Sequence, residues 1–279
     1  MSTGFIDIDR TLGGLRPSDL IILAGRPAMG KSALATAIGV NVARAGKPVA
    51  FFSLEMSGDQ LAARIISSQA GVSGFLTSQG KSSADDMRRL CEAKIDLDGL
   101  PLQIDETGAR TVPAMVSQAR RMARKDGLSL VIVDYIGLAA PADPKRGRQK
   151  VHEIEEITNG LKALAKTLKV PVIALCQLSR QVEQRDDKRP MLSDLRDSGA
   201  IEQDADAVLF LYREEYYLAN AEPKNPAKAA EWQQRLSEVK NTAELIIAKH
   251  RHGPTGTVPL YFDGSLTKFG DLHRGDCER

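Results

Sequence analysis

Gly25-Arg26-Pro27-Ala28-Met29-Gly30-Lys31-Ser32 decides the fold. The stretch fits G-x-x-x-x-G-K-[ST], the phosphate-binding P-loop. An apolar run, Leu20 to Ala24, precedes it, and a helical pattern, Ala33 to Ala45, follows. That strand–loop–helix context is what the motif requires. Gly25 and Gly30 are expected to permit backbone angles that a side chain blocks, so that successive N–H groups turn toward one anion. The helix start adds partial positive charge. On this reading the segment from Gly25 to Ala33 cradles a nucleotide's phosphates. Lys31 reaches the β- and γ-phosphates and Ser32 holds Mg²⁺. The competing reading is a Gly-rich turn that simply joins a strand to a helix.

The 279 residues are 42% hydrophobic and 27% charged, an ordinary globular composition. The length suits one large α/β domain. No apolar stretch is long enough to cross a bilayer, and the first residues lack a signal-peptide pattern. Cys91, Cys176 and Cys277 are scattered, with neither metal-site nor disulfide spacing, so a cytoplasmic setting is expected. A net charge of +2 excludes a global field for nucleic acid. Any such binding must come from local loops.

Strand and helix patterns alternate along the chain. Residues 1–19 are a lead-in segment. Pro48 to Ser53 is a short buried strand ending in Leu54-Glu55-Met56, and Ser57 with Gln60 is a capping-box signature for the next helix. Helical patterns cover Ser82–Ile95, Thr111–Lys125 and Val151–Lys169. Strands cover Leu102–Ile104, Leu128–Asp134, Val170–Leu175 and Ala207–Tyr212. Asn220 to Asn241 is a charged surface insertion containing Trp232, and Glu244–His250 with Thr257–Phe262 forms a hairpin. The expectation is one domain over 1–279, a mainly parallel twisted sheet flanked by helices with a C-terminal antiparallel β-hairpin.

Ligands in such sheets bind at the carboxyl ends of the strands, where Glu55, Asp134 and Gln177 fall. Asp134 follows four apolar residues, the Walker B arrangement, and is expected to orient Mg²⁺ with Ser32. The next residue, Tyr135, is not an acid, so the general base lies elsewhere. Glu55 is the candidate, able to orient and deprotonate an attacking water. The alternative is an acid that merely leads into a helix. Gln177 is placed to hydrogen-bond the γ-phosphate or that water. The basic loop with Lys145, Arg146, Arg148 and Lys150 is either a DNA contact or a solvated charge run.

Four stretches resemble one family. Ser-Leu-Glu-Met-Ser (53–57), Val-Ile-Ala-Leu-Cys-Gln-Leu-Ser-Arg (172–180), Ser-Asp-Leu-Arg-Asp-Ser-Gly-Ala-Ile-Glu-Gln-Asp-Ala-Asp (193–206) and Ile-Ile-Ala-Lys-His-Arg-His-Gly-Pro-Thr-Gly-Thr-Val (246–258) are similar to the motor domain of DnaB-type replicative DNA helicases. The resemblance runs from about Thr3 to about Leu272. It implies a RecA-like fold and a homohexameric ring. ATP with Mg²⁺ would sit between subunits, and ssDNA would pass through the channel in 5′ to 3′ translocation.

The resemblance also gives Lys31, Glu55 and Gln177 catalytic roles and brings Lys249 and Arg251 into the neighbouring subunit's ATP site. Positions i and i+2 on a strand share a face, so both cations can reach one phosphate. Without the resemblance they read as a solvated edge-strand pair. Arg196, Asp197 and Gly199 would bind the ssDNA backbone, Asp197 standing where the family usually has Glu. The family's N-terminal helical domain and linker helix are not in this sequence, which leaves a monomer as the alternative to a ring. A primase and a helicase loader are the implied protein partners. The competing functions are a RecA-like or KaiC-like ATPase that does not unwind, and a catalytically idle binding module.

Overall fold

The computed structural model describes residues 1–108, 110–139, 150–195, 198–223 and 225–272. The lead-in segment carries a helix, α1 (Ile6–Leu12), which buries Ile8 and Leu12. Its N-cap is Phe5, which makes no side-chain hydrogen bond, so the usual start signal is missing. β1 (Leu20–Gly25) enters the P-loop and α2 (Lys31–Arg44) leaves it. Next come β2 (Val49–Ser53), α3 (Gly58–Ala70), α4 (Gly74–Ser78), α5 (Ala84–Leu97), β3 (Leu102–Asp105) and α6 (Val112–Lys125). β4 (Leu130–Asp134), α7 (Lys150–Leu168), β5 (Val172–Gln177), α8 (Ser198–Asp204) and β6 (Ala207–Tyr212) follow. The chain then runs through α9 (Glu214–Ala219), α10 (Pro226–Glu238), β7 (Thr242–His250), β8 (Gly256–Asp263) and β9 (Lys268–Asp271).

Local chemistry accounts for several boundaries. Ser57 accepts from the Gln60 N–H and Gln60 reaches back to the Ser57 N–H, the reciprocal cap expected for α3. Thr111 caps α6, Pro113 sits in its first turn, and Arg124 and Lys125 lie in its last turn against the negative end of the helix. The charged segment after Asn220 contributes α10, whose Trp232 Nε1 donates to the Leu218 carbonyl at 3.0 Å.

Among the described residues the strands form one sheet in the order β3-β2-β4-β5-β1-β6-β7-β8-β9. Pairing is parallel from β3 to β6 and antiparallel from β6 to β9. The C-terminal part is therefore three antiparallel strands, one more than the expected hairpin. The central strands are buried on both faces. Ile21 and Leu23 of β1 join a core with Leu34 and Ile38 of α2, while Leu20 and Ile22 join a second core with Met115 of α6 and Leu161 of α7. The antiparallel strands alternate instead. Ala243, Leu245, Ile247, Val258, Leu260 and Phe262 point into the first core, and the residues between them are half-exposed or exposed. Both layers hold the carboxyl ends of β1, β2, β4 and β5 at one end of the sheet.

Candidate active site

The P-loop opens at the end of β1. Gly30 has φ 97° and caps α2 with no side-chain hydrogen bond. The N–H groups of the first turn of α2 thus have no side-chain cap, an arrangement suited to an anion. A Cβ on Gly30 would lie 3.1 Å from the Phe269 ring and 3.2 Å from that of Phe262. These two rings pack against each other, tilted by 41° with centroids 4.5 Å apart, so β8 and β9 back the loop. Gly25 departs from its expected role, because its φ is not positive. A Cβ there would sit 2.9 Å from the Leu211 carbonyl oxygen, so close approach of β6 is what demands glycine. The positive φ falls instead on Ala28, at 66°.

Lys31 Nζ donates to the carbonyls of Gly25 (2.8 Å) and Arg26 (3.0 Å). Burial pushes its pKa down, opposed by the charges of Asp134, Cys176 and Glu55. Asp134 is 3% exposed. Burial pushes its carboxyl up, a hydrogen bond with the Ser32 side chain pulls it down, Glu55 pushes it up and Lys31 pulls it down. A phosphate beside Lys31 and a cation beside Asp134 would each favour the charged form that burial disfavours. The Ser32 hydroxyl and the Asp134 carboxylate are hard oxygen donors already in contact, a donor set that fits Mg²⁺.

Register brings in the other two candidates. Ser53 pairs with Asp134 across β2 and β4, and the Leu54 N–H donates to the Asp134 carbonyl at 2.7 Å, so Glu55 leaves β2 beside Asp134. Gln177 pairs with Gly25 across β5 and β1. Both side chains are exposed. Lys31, Ser32, Glu55, Asp134 and Gln177 line a single cleft of about 1020 Å³, together with Pro27, Ala28, Gly30 and Ala33.

Arg26 and Met29 depart from the expected set. Met29 is buried, at 1% exposure. The Arg26 side chain is buried too, and its guanidinium donates to Glu183 Oε1 (2.8 Å) and to the Leu178 carbonyl (3.0 Å). It lines the adjoining cavity with Tyr135 and Arg180, not the P-loop cleft. What Arg26 offers the cleft is its carbonyl, held by Lys31.

Lys249 and Arg251 lie at the opposite end of the sheet from this chain's own P-loop. β7 runs antiparallel to β6, so His250 stands beside Ala207, where β6 begins. A bulge at Ala248 disturbs the pairing, with Val208 opposite Lys249 and Leu209 opposite Ile247. Arg251 lies just beyond the strand. Lys249 Nζ donates to the Glu202 carbonyl, and Arg251 NH1 donates to Asp206 Oδ1 at 3.0 Å. His250 Nδ1 lies 3.3 Å from the Pro254 carbonyl oxygen in an exposed contact. Arg196, Asp197, Arg146 and Arg148 lie outside the described residues, and Gly199 falls in the first turn of α8.

Sequence reasoning missed much of the cleft's wall. Arg64 of α3, Phe75 of α4 and residues 264–267 of the β8–β9 turn all face it. Arg213 donates to the Ala28 carbonyl (3.3 Å) and lies 4.3 Å over the Phe262 ring. Its position after β6 was a usable signal, since strand ends line such sites. Arg64 and Phe75 carried none.

Comparison with known proteins gives the family and the fold. The pattern of the DnaB-like helicase C terminal domain matches residues 1–271. The replicative DNA helicase DnaB of Rickettsia prowazekii (strain Madrid E) is 49% identical, covering 98% of this chain and 58% of the relative. That of Geobacillus stearothermophilus is 44% identical, covering 98% of this chain and 56% of the relative. A separately solved ATPase domain superposes with a TM-score of 0.86 at 37% identity, covering 97% of this chain and 90% of that one. A DnaB-like replicative helicase solved for its interactions with primase gives 0.86 at 36% identity, covering 97% and 61%. The chain thus spans little more than half the length of the curated relatives it matches, and its RecA-like ATPase fold is theirs. Motif, cleft and comparisons converge: the chain belongs to the DnaB-like helicase C-terminal domain family.

Proposed function

We propose that this domain is the ATP-driven motor of a replicative DNA helicase, hydrolysing ATP at subunit interfaces of a hexameric ring. The motor translocates 5′ to 3′ on ssDNA and separates the duplex strands. The supporting observation is that Lys31, Ser32, Glu55, Asp134 and Gln177, drawn from four separate strand ends, line one cleft. In a binding module without turnover, nothing requires an acid and an amide to meet a P-loop there.

The chemistry follows from the placement. Lys31 exchanges the Gly25 and Arg26 carbonyls for β- and γ-phosphate oxygens, and the first-turn N–H groups of α2 bind the same anion. Ser32 and Asp134 would hold Mg²⁺, which when bound neutralises charge building between the β- and γ-phosphates. Glu55 orients a water and takes its proton as the oxygen attacks the γ-phosphorus. The bond to the β-bridging oxygen breaks, leaving ADP and inorganic phosphate. Gln177 hydrogen-bonds the γ-phosphate or the water and so senses hydrolysis. Arg251, with Lys249, completes the site from the neighbouring subunit. A trans arginine is worth roughly 10³–10⁵ in rate in comparable enzymes. ssDNA is held by the 193–206 segment through Arg196, Asp197 and Gly199, with Arg146 and Arg148 as a second contact. Primase and a loader are the protein partners.

ATP hydrolysis measured against protein concentration, with and without ssDNA and alongside solution mass, tests the proposal. Expected is a steep concentration dependence, stimulation by ssDNA, and loss of turnover in Lys31→Ala. Flat specific activity from a monomer, or turnover equal to that of Lys31→Ala, overturns it.

A further inference from the structure

Asp206 is a buried carboxylate far from its own chain's P-loop, 3% exposed at the start of β6. Two elements hold it rigidly. Its Oδ2 accepts from the Leu20 N–H at 2.8 Å and from Lys162 Nζ of α7, and Lys162 also donates to the Ser18 carbonyl at 2.8 Å. Its own N–H donates to the Leu20 carbonyl at 2.9 Å. The remaining oxygen, Oδ1, accepts from Arg251 NH1 at 3.0 Å. The Arg251 N–H donates to the Asp206 carbonyl at 2.7 Å. Arg251 is therefore gripped twice by one residue, by main chain and by side chain.

The grip is one-sided. The Arg251 side chain stays 56% exposed. A guanidinium has five donors in a planar fork. Among the described residues its side-chain hydrogen bond is the one to Asp206, so further donors remain for an external oxyanion. The next residue, His252, sits beside the same Asp206 carboxylate, its Nε2 3.4 Å from Asp19 Oδ1, and steadies the turn that carries Arg251. A flexible arginine must lose rotamer freedom before it can meet a phosphate. One held against a fixed carboxylate has already lost part of it.

We propose that Asp206 is a positioning residue for hydrolysis in the neighbouring subunit, its carboxylate aiming the Arg251 guanidinium out of its own subunit. The proposal rests on the reading that Arg251 acts in trans. Asp206 touches no nucleotide and acts only through Arg251. Lys162 and the Leu20 N–H keep the anchor from swinging.

The test is ssDNA-stimulated ATPase of Asp206→Asn, Arg251→Ala and the double variant, with kcat and KM for ATP measured separately. Asp206→Asn is expected to lower kcat at least about tenfold at unchanged KM, part of the roughly 10³–10⁵ a trans arginine supplies. The double variant should fall no further than Arg251→Ala. Independent, multiplying losses overturn the proposal, as does a fall in thermal midpoint with kcat intact. Should Asp206→Asn not fold, Asp206→Glu keeps the charge and displaces the carboxylate. Lower kcat at unchanged KM supports the proposal there, and full kcat overturns it. Mixing Arg251→Ala chains with Lys31→Ala chains separates the two levels. Recovered activity supports action in trans whatever the Asp206 result. No recovery removes the trans reading and the positioning role with it.

Discussion

Gly30→Ala tests how the P-loop is built. The substitution places a Cβ at a residue with φ 97°, where an L-side chain is strained. That strain costs roughly 1–2 kcal/mol. The same Cβ meets Cε2 and Cζ of Phe269 at 3.1 Å and Cε2 of Phe262 at 3.2 Å. Those rings pack on each other inside the core and have little room to retreat. Overpacking of this kind costs roughly 1–3 kcal/mol more. Gly46→Ala is the internal control. Gly46 also has positive φ, 73°, but nothing lies within 4 Å of its Cβ position, so it meets the conformational cost alone. In urea denaturation Gly30→Ala should therefore lose about 2–5 kcal/mol and Gly46→Ala about 1–2 kcal/mol. Any relief by loop movement shifts the amides that face phosphate, so Gly30→Ala should also weaken nucleotide binding, tenfold for each ~1.4 kcal/mol. Equal destabilisation of the two variants would refute the ring contact. Wild-type nucleotide affinity in Gly30→Ala would refute the claim that these rings set the loop's position.

Three further outcomes are expected. Arg26→Ala leaves the buried Leu178 carbonyl without its donor, which costs roughly 1–3 kcal/mol. Its nucleotide affinity, by titration calorimetry, should change far less than in Lys31→Ala; an equal loss would return the Arg26 side chain to the phosphate site. Burial pushes the Asp206 carboxyl up, but hydrogen bonds from Lys162 and the Leu20 N–H and the charges of Lys162 and Arg251 outweigh it and hold the group below the usual range. Its ionised form therefore contributes stability above the unfolded value of about 3.9, and that contribution is lost as pH falls through the folded value. The stability gap between wild type and Asp206→Asn should be full at neutral pH and narrow below about pH 4; a gap constant with pH contradicts this. Finally, Arg196→Ala should weaken ssDNA binding and reduce its salt slope by about one; an unchanged slope removes Arg196 from the phosphate contacts.

Legibility in the sequence tracked how local each feature's cause is. The P-loop, the Ser57–Gln60 cap and the all-apolar run into Asp134 each depend on residues a few positions apart, and each stands where expected. α1 was missed because its cap uses no side chain. β9 was missed because its four residues become a strand by pairing with β8, from Leu260–Asp271 to Asp263–Lys268. Arg26 lay in the right motif, yet its side chain answers to Glu183, 157 residues away.

By itself the sequence determined the class of this protein: a P-loop between strand and helix, acids and an amide at strand ends, alternating α and β patterns. These follow from backbone geometry and side-chain periodicity, which act over single turns and single strands. Tertiary structure alone decided the strand order, the glycine roles, and the company each charged group keeps. Phe75, Arg64, Arg213 and the β8–β9 turn reach one cleft, and Leu20, Lys162 and Arg251 reach one carboxylate, only because the sheet brings distant segments into register. Long-range pairing and burial set those contacts, and neither has a local signature.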